Sequence, residues 1–247
     1  MSASAPRSSA PAPPDRPRTP IPAPVIFDFD GVIADSEILS NRAFAEVFTA
    51  AGFPMTAEQA IENYLGKRFD DCARLIEAEY GRPVDKALDK AWEDAVLRRL
   101  DTDLHPVPGV ADFLNSLGPR PLAVASSSSP DWLENILARF GLAHHFGDHV
   151  YSGAVHVTRG KPHPDLYLHA AAALGVDPQA CFVIEDSPTG VEAAHRARMH
   201  VVGLLAGGHG SPAHGERLRA AGADALAFSY DEVAAHLAAF DESESRR

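Results

Sequence analysis

The stretch VIFDFDG, residues 25–31, sets three apolar residues directly before two aspartates and a glycine. A short apolar run bounded by acids and glycine reads as a buried strand whose carboxyl end opens into a loop. Four later runs read the same way: Leu122–Ala125, Phe182–Ile184, Val201–Leu205 and Ala225–Ala227. Helical patterns fill the intervals at Gly109–Leu117, Pro130–Phe140, Asp165–Leu174, Gly190–Arg198 and Gly215–Ala221. Strands alternating with helices predict an α/β fold, a three-layer Rossmann-like core built on a parallel sheet.

One stretch breaks the alternation. Between residues 36 and 105 the spacing is helical almost throughout, as in Phe44, Val47, Phe48 and again in Cys72, Leu75, Ile76. Gly52, Gly66 and Gly81 mark its turns. The expectation is an inserted α-helical cap domain (36–105), with the core formed by residues 25–35 and 106–241. The Pro-rich segment His105–Gly109 would be the exit hinge. The first 24 residues hold eight of the chain's 20 prolines and no hydrophobic period, so they read as a disordered tail. That tail has no apolar centre of the kind a secretory signal carries.

Apolar residues make up 45% of the chain and no apolar run approaches the roughly 20 residues of a membrane helix, which predicts a soluble protein. Acidic residues outnumber basic ones 34 to 22, for a formal charge of -12. Such a surface excludes nucleic acid and anionic membrane as natural partners. It also repels a phosphorylated metabolite, so an anion site must gather a metal, local cations or backbone N–H groups. Cys72 and Cys181 have no metal-ligand spacing and read as buried residues of a cytoplasmic protein.

Open parallel sheets bind ligands at the carboxyl ends of their strands. There the first run ends in Asp28 and Asp30, the second in Ser126–Ser129, and Phe182–Ile184 in Glu185-Asp186-Ser187; Lys161 lies in a loop between the last two. Carboxylates crowded together repel unless a cation holds them. Mg2+ suits a few carboxylates plus water and phosphate oxygens, so the cluster implies both a metal and a phosphate. Ser126 and nearby N–H groups can donate to phosphate oxygens, and Lys161 supplies a positive charge beside them.

Four segments, FDFDGVIADSE (27–37), the serine run, GKPHPD (160–165) and IEDSPTG (184–190), resemble the signature motifs of the haloacid dehalogenase superfamily, all in order. The inserted helices resemble its beta-phosphoglucomutase-like phosphatase branch. The resemblance implies a phosphatase acting on a small phosphorylated metabolite such as a sugar phosphate or sugar-acid phosphate. Asp28 would be the nucleophile, forming an aspartyl-phosphate, and Asp30 the general acid and then base. The backbone carbonyl of Asp30 would join Asp28 and Asp186 on Mg2+, with Glu185 a ligand or a partner of the ligands. Ser126 would bind the transferring phosphoryl group, helped by N–H groups near Gly31 and Ser127, while Lys161 neutralises charge at Asp28.

Asp30 separates this chain from the dehalogenases, which lack a second aspartate two residues after the nucleophile. A mutase using the same intermediate is the alternative, but Ser40 stands where the mutases of that branch carry a cap histidine. An alternative of another class is a binding protein that retains the pocket without turnover. In the cap, Lys67, Arg68 and Asn41 are candidates for gripping the distal part of the substrate on closure. The expected state is a monomer or weak homo-oligomer. The twelve histidines read as mostly surface residues, Ala206–Gly210 as a flexible loop, and Trp92 and Trp132 as packing residues.

Overall fold

A computed structural model describes residues 22–64, 69–208 and 210–246. Six strands, β1 (Val25–Phe27), β2 (Leu122–Ser126), β3 (Val150–Ser152), β4 (Phe182–Glu185), β5 (His200–Leu204) and β6 (Ala225–Ala227), form one sheet in the order β3-β2-β1-β4-β5-β6. Every neighbouring pair is parallel. Strands covered on both faces carry continuous apolar runs rather than an alternation, which is why β1, β2 and β4 are buried along their whole length.

One face of the sheet packs on helices α5 (Val110–Ser116), α6 (Pro130–Arg139) and α10 (Tyr230–Glu244) through a core that includes Phe27, Phe113, Leu133 and Val233. The other face packs on α7 (Asp165–Leu174), α8 (Pro188–Arg196) and α9 (Pro212–Ala221), with Ile26, Tyr167, Val191 and Leu218 at its centre. The result is the three-layer arrangement expected from the alternation. Helices α6, α8, α9 and α10 each begin on a serine cap, Ser129, Ser187, Ser211 and Ser229, whose side chain accepts a backbone N–H from the first turn. Proline follows the cap in the first three, where its missing N–H costs nothing. The Ser-Pro pairs start α8 and α9 two and three residues before the glycines at which the spacing alone placed them.

Between β1 and β2 the chain leaves the sheet for α1 (Ser36–Ala50), α2 (Ala57–Tyr64), α3 (Phe69–Tyr80) and α4 (Ala87–Asp103). These helices enclose a separate apolar cluster around Phe44, Phe48, Phe53 and Ile76. Phe44 and Phe48 stack at 4.1 Å between centroids. The two crossings between cap and core run side by side: the N–H of Asp35 donates to the His105 carbonyl and that of Val107 to Ile33, both at 2.9 Å.

The docked chain begins before Val25. Pro24 accepts the Phe182 N–H at 2.9 Å, and Ala23 donates to Asp241 while accepting from Arg120. Residues 1–21 of the segment read as a tail lie outside the described residues, as do the cap candidates Lys67 and Arg68. Cys72 and Cys181 are buried free thiols. Among the described residues no helix is long and apolar enough to cross a membrane.

Candidate active site

In a sheet of this order the chain turns from one side of β1 to the other, and the carboxyl ends of β1 and β4 face the resulting crevice. Phe27 is in register with Val124 and Ile184, so residues just beyond them on three strands are neighbours. Asp28 follows at once, its N–H donating to Ile184 at 2.9 Å. Asp28, Glu185 and Asp186 each offer a carboxylate oxygen within 4.8 Å of the others, and all three are buried.

Lys161 reaches this group from the loop before α7. Its ammonium, with the side chain 4% exposed, lies 2.7 Å from Asp28 Oδ1 and 2.6 Å from Glu185 Oε1. Arg196 holds the loop by donating to the Pro162 carbonyl at 3.0 Å, and Arg159 closes it with two bonds to Asp165. Burial alone would lower the pKa of Lys161, but the Asp28 and Glu185 carboxylates more than offset it, and the group stays charged.

Glu185 has both oxygens occupied. Oε1 accepts from Lys161 and from Tyr167 at 3.0 Å, while Oε2 accepts the N–H and the hydroxyl of Ser187 at 2.7 and 3.0 Å. It thereby ties Lys161 and Tyr167 to the start of α8. A Cβ on Gly190 would lie 1.5 Å from Glu185 Oε1, so only glycine lets α8 pass so close.

Three acids lie around one ammonium, so ionising all of them would leave net negative charge in a buried space. Burial first, then Glu185, hold the Asp28 and Asp186 carboxyls well above the ordinary carboxylate range, with Lys161 only partly opposing. Two acids that resist ionisation at 4.8 Å or less from each other are a donor set in want of a hard divalent cation.

The serine loop is built differently from the motif's plain reading. Ser126, 1% exposed, accepts the Ser128 N–H at 3.1 Å, and β3 holds the loop in place: Gly153 donates to the Ser126 carbonyl and the Ser152 hydroxyl to that of Ser128. Ser127 is exposed beside it. Gly31 contributes its left-handed backbone, φ 78°, and its own N–H already donates to the Ala34 carbonyl at 2.7 Å. The N–H groups of Val32, Ile33 and Ala34 likewise donate within the turn, to the Phe29 carbonyl.

The Asp30 side chain makes no part of the three-acid cluster. Its Oδ1 accepts from Ser36 Oγ at 2.7 Å and Trp132 Nε1 at 3.2 Å, and Oδ2 accepts from Ser128 Oγ at 2.5 Å. Asn41 is buried in α1, its amide donating to the Glu37 carbonyl at 2.8 Å.

Three features that the sequence left outside the cluster touch its acids or the hinge beside them. Trp132 packs on the core cluster, as expected, and its indole also donates to Asp30. Among the described histidines, which are otherwise at least partly exposed, His214 is 4% exposed: its Nε2 lies 2.6 Å from the Asp186 carbonyl, and Arg217 donates to its Nδ1, which fixes Nε2 as the donor. The glycine-rich segment packs on the cap hinge, since Gly208 donates to Asp35 Oδ1 at 3.3 Å and a Cβ there would meet Ile38 at 1.8 Å.

The model of the haloacid dehalogenase-like hydrolases matches residues 25–204. Among curated proteins, the chain is 27% identical to the 6-phosphogluconate phosphatase of Escherichia coli over 76% of this chain and 85% of that one. It is 33% identical to the fructose-1-phosphate phosphatase of the same organism, over 73% and 95%. Hexitol phosphatase B, also of Escherichia coli, is 33% identical over 72% and 81%. Among solved structures, a haloacid dehalogenase-like protein of unknown function from Agrobacterium tumefaciens superposes with a TM-score of 0.82 at 34% identity, over 88% of this chain and 98% of that one. A hydrolase from Deinococcus radiodurans, solved with bound phosphate and sodium, gives 0.79 at 32% identity, over 90% and 96%.

Proposed function

This chain belongs to the haloacid dehalogenase-like hydrolase family, and from that premise we propose that it is a Mg2+-dependent phosphatase of a small sugar phosphate or sugar-acid phosphate. The observation that carries the reading is the buried group of Asp28, Glu185 and Asp186 with Lys161 bonded to two of them. The phosphatases among its relatives support the choice of a phosphorylated metabolite.

Asp28 attacks phosphorus in line and becomes an aspartyl-phosphate. Lys161 orients its carboxylate and offsets charge on the phosphoryl oxygens. Ser126, whose oxygen is taken by the Ser128 N–H, donates its hydrogen to a phosphoryl oxygen. Asp30 protonates the leaving alcohol, then draws a proton from the water that frees phosphate. Asp28, Asp186 and the Asp30 carbonyl would hold Mg2+, which when bound would supply Lewis-acid charge to the phosphoryl group. From the cap, Lys67, Arg68 and Asn41 select the distal part of the substrate on closure.

The test is a panel of 6-phosphogluconate, fructose 1-phosphate and hexitol phosphates with saturating Mg2+. Inorganic phosphate should appear in step with the free alcohol. Phosphate moved to another carbon, with none released, would establish a mutase instead.

Metal binding has its own readout. Because the folded-state carboxyls of Asp28 and Asp186 sit above their unfolded values, their contribution to metal-free stability is full at low pH and is lost as pH rises through the folded values. Mg2+ binds the ionised form, so its stabilisation grows with pH. At about 100 times Kd the melting temperature should rise by about 5–10 °C near neutrality and hardly at all in the acid range. A shift of equal size at both ends of the range would contradict this assignment.

A further inference from the structure

We propose that Trp132 is a positioning residue for proton transfer: its indole N–H pins Oδ1 of Asp30, which leaves Oδ2 as the oxygen that gives and takes the proton. The inference rests on the assignment of Asp30 as general acid and base.

The donors around Asp30 are not equivalent. Ser36 and Ser128 present hydroxyls, which can rotate and accept as readily as they donate. The indole of Trp132 can only donate. A protonated carboxyl oxygen is a poorer acceptor than a charged one, so an obligate N–H donor on Oδ1 keeps the charge there and favours the proton on Oδ2. A proton on Oδ2 meets Ser128 Oγ, which turns to accept it. Trp132 is therefore the one of these three groups that distinguishes the two carboxylate oxygens.

Its placement follows from the sequence around the α6 cap. Ser129 caps the helix by accepting the Trp132 N–H at 3.4 Å, and Pro130 fixes the first helical position. That sets the ring on the first turn, against the core cluster and over the loop that carries Ser128. Trp92 shows the contrast: its indole donates to the Ser40 carbonyl at 3.0 Å within the cap, to a backbone oxygen rather than a carboxylate.

The steps balance. In the first, the Asp28 carboxylate forms a bond to phosphorus as the ester P–O bond breaks. The bonding pair leaves on the ester oxygen, which takes the proton from Asp30 Oδ2. In the second, Oδ2 takes a proton from water as the water oxygen bonds to phosphorus and the Asp28–P bond breaks. The indole stays on Oδ1 through both.

Trp132→Phe keeps an aromatic ring and removes the donor. In single-turnover experiments, which read the first step alone, release of phenol from phenyl phosphate, which needs its leaving oxygen protonated, should fall about tenfold or more; release of p-nitrophenol from p-nitrophenyl phosphate, which does not, should change by less than about threefold. Asp30→Asn should show the same split, enlarged. Equal losses on both substrates in Trp132→Phe, beside a split in Asp30→Asn, overturn the role of Trp132 alone. No split in Asp30→Asn overturns the acid assignment and the inference with it. If Trp132→Phe does not fold, the indole N–H resonances of the two tryptophans decide: Asp30→Ala should move that of Trp132 and leave that of Trp92, and an unmoved Trp132 signal refutes the contact.

Discussion

Asp28→Asn is expected to lower turnover about 10,000-fold or more on every phosphoester, including those with good leaving groups. The amide keeps the shape of the side chain and can still accept from Lys161, so the scaffold is little disturbed. What it lacks is the negative oxygen that must bond to phosphorus. The same substitution should raise, not lower, the melting temperature of the metal-free protein near neutral pH. Burial and Glu185 hold the Asp28 carboxyl well above its ordinary range, so its ionised form burdens the folded state at neutrality. Loss of activity with gain of metal-free stability is the signature of a buried functional acid. Kinetics with an excess of p-nitrophenyl phosphate and a melting curve in chelator measure both. More than about 1% residual turnover would place the nucleophile elsewhere.

The sheet was largely legible because its strands are buried on both faces, which forces unbroken apolar runs in β1, β2, β4 and β5. β3 was not, for the opposite reason. It is a three-residue edge strand, Val150-Tyr151-Ser152, half-buried at its start and too short to show a period. It nevertheless carries Ser152 and places Gly153 just beyond it, the two donors that hold the serine loop. α10 was also passed over, although Ser229 caps it and Val233 and Leu237 lie one turn apart. Its alanines and acids dilute the apolar stripe on which a helical reading depends.

In the site, the acids and Lys161 were visible because each follows a strand end or lies in a loop beside one. Position along the chain is enough to gather such residues. The residues that went unrecognised sit on helices: Tyr167 on α7, Trp132 on α6, His214 on α9. A helix turns its side chains through a full circle every 3.6 residues, so contact with the site depends on how the helix is rotated and docked. Sequence does not fix that rotation. Ser129-Pro130 did hold a usable signal, since a capped start sets which residue, Trp132, stands in the first turn.

Lys161→Met should unbalance the whole cluster, and the size of the loss follows from what surrounds the ammonium. The side chain is enclosed by Asp28, Glu185 and the Tyr167 ring, with its nitrogen 4.9 Å from the ring centre. Methionine fills similar volume but leaves three buried carboxylates with no cation. Removing one partner of a buried pair costs about 3–5 kcal/mol, because the remaining charges are stranded rather than resolvated. Denaturation in chelator near neutral pH should show that loss. It should shrink as pH falls, since Asp28 and Asp186 take up protons there and no longer need the cation. Mg2+ should restore part of the stability at neutrality. Turnover should stay down by about 100- to 1,000-fold even with Mg2+, because the charge beside the phosphoryl oxygens is still missing. Lys161→Arg should not rescue it, as a planar guanidinium does not fit a slot shaped for a compact ammonium. Full stability of Lys161→Met in chelator would mean that the ammonium offsets no charge on Asp28 and Glu185, and the electrostatic account of the site would fall with it.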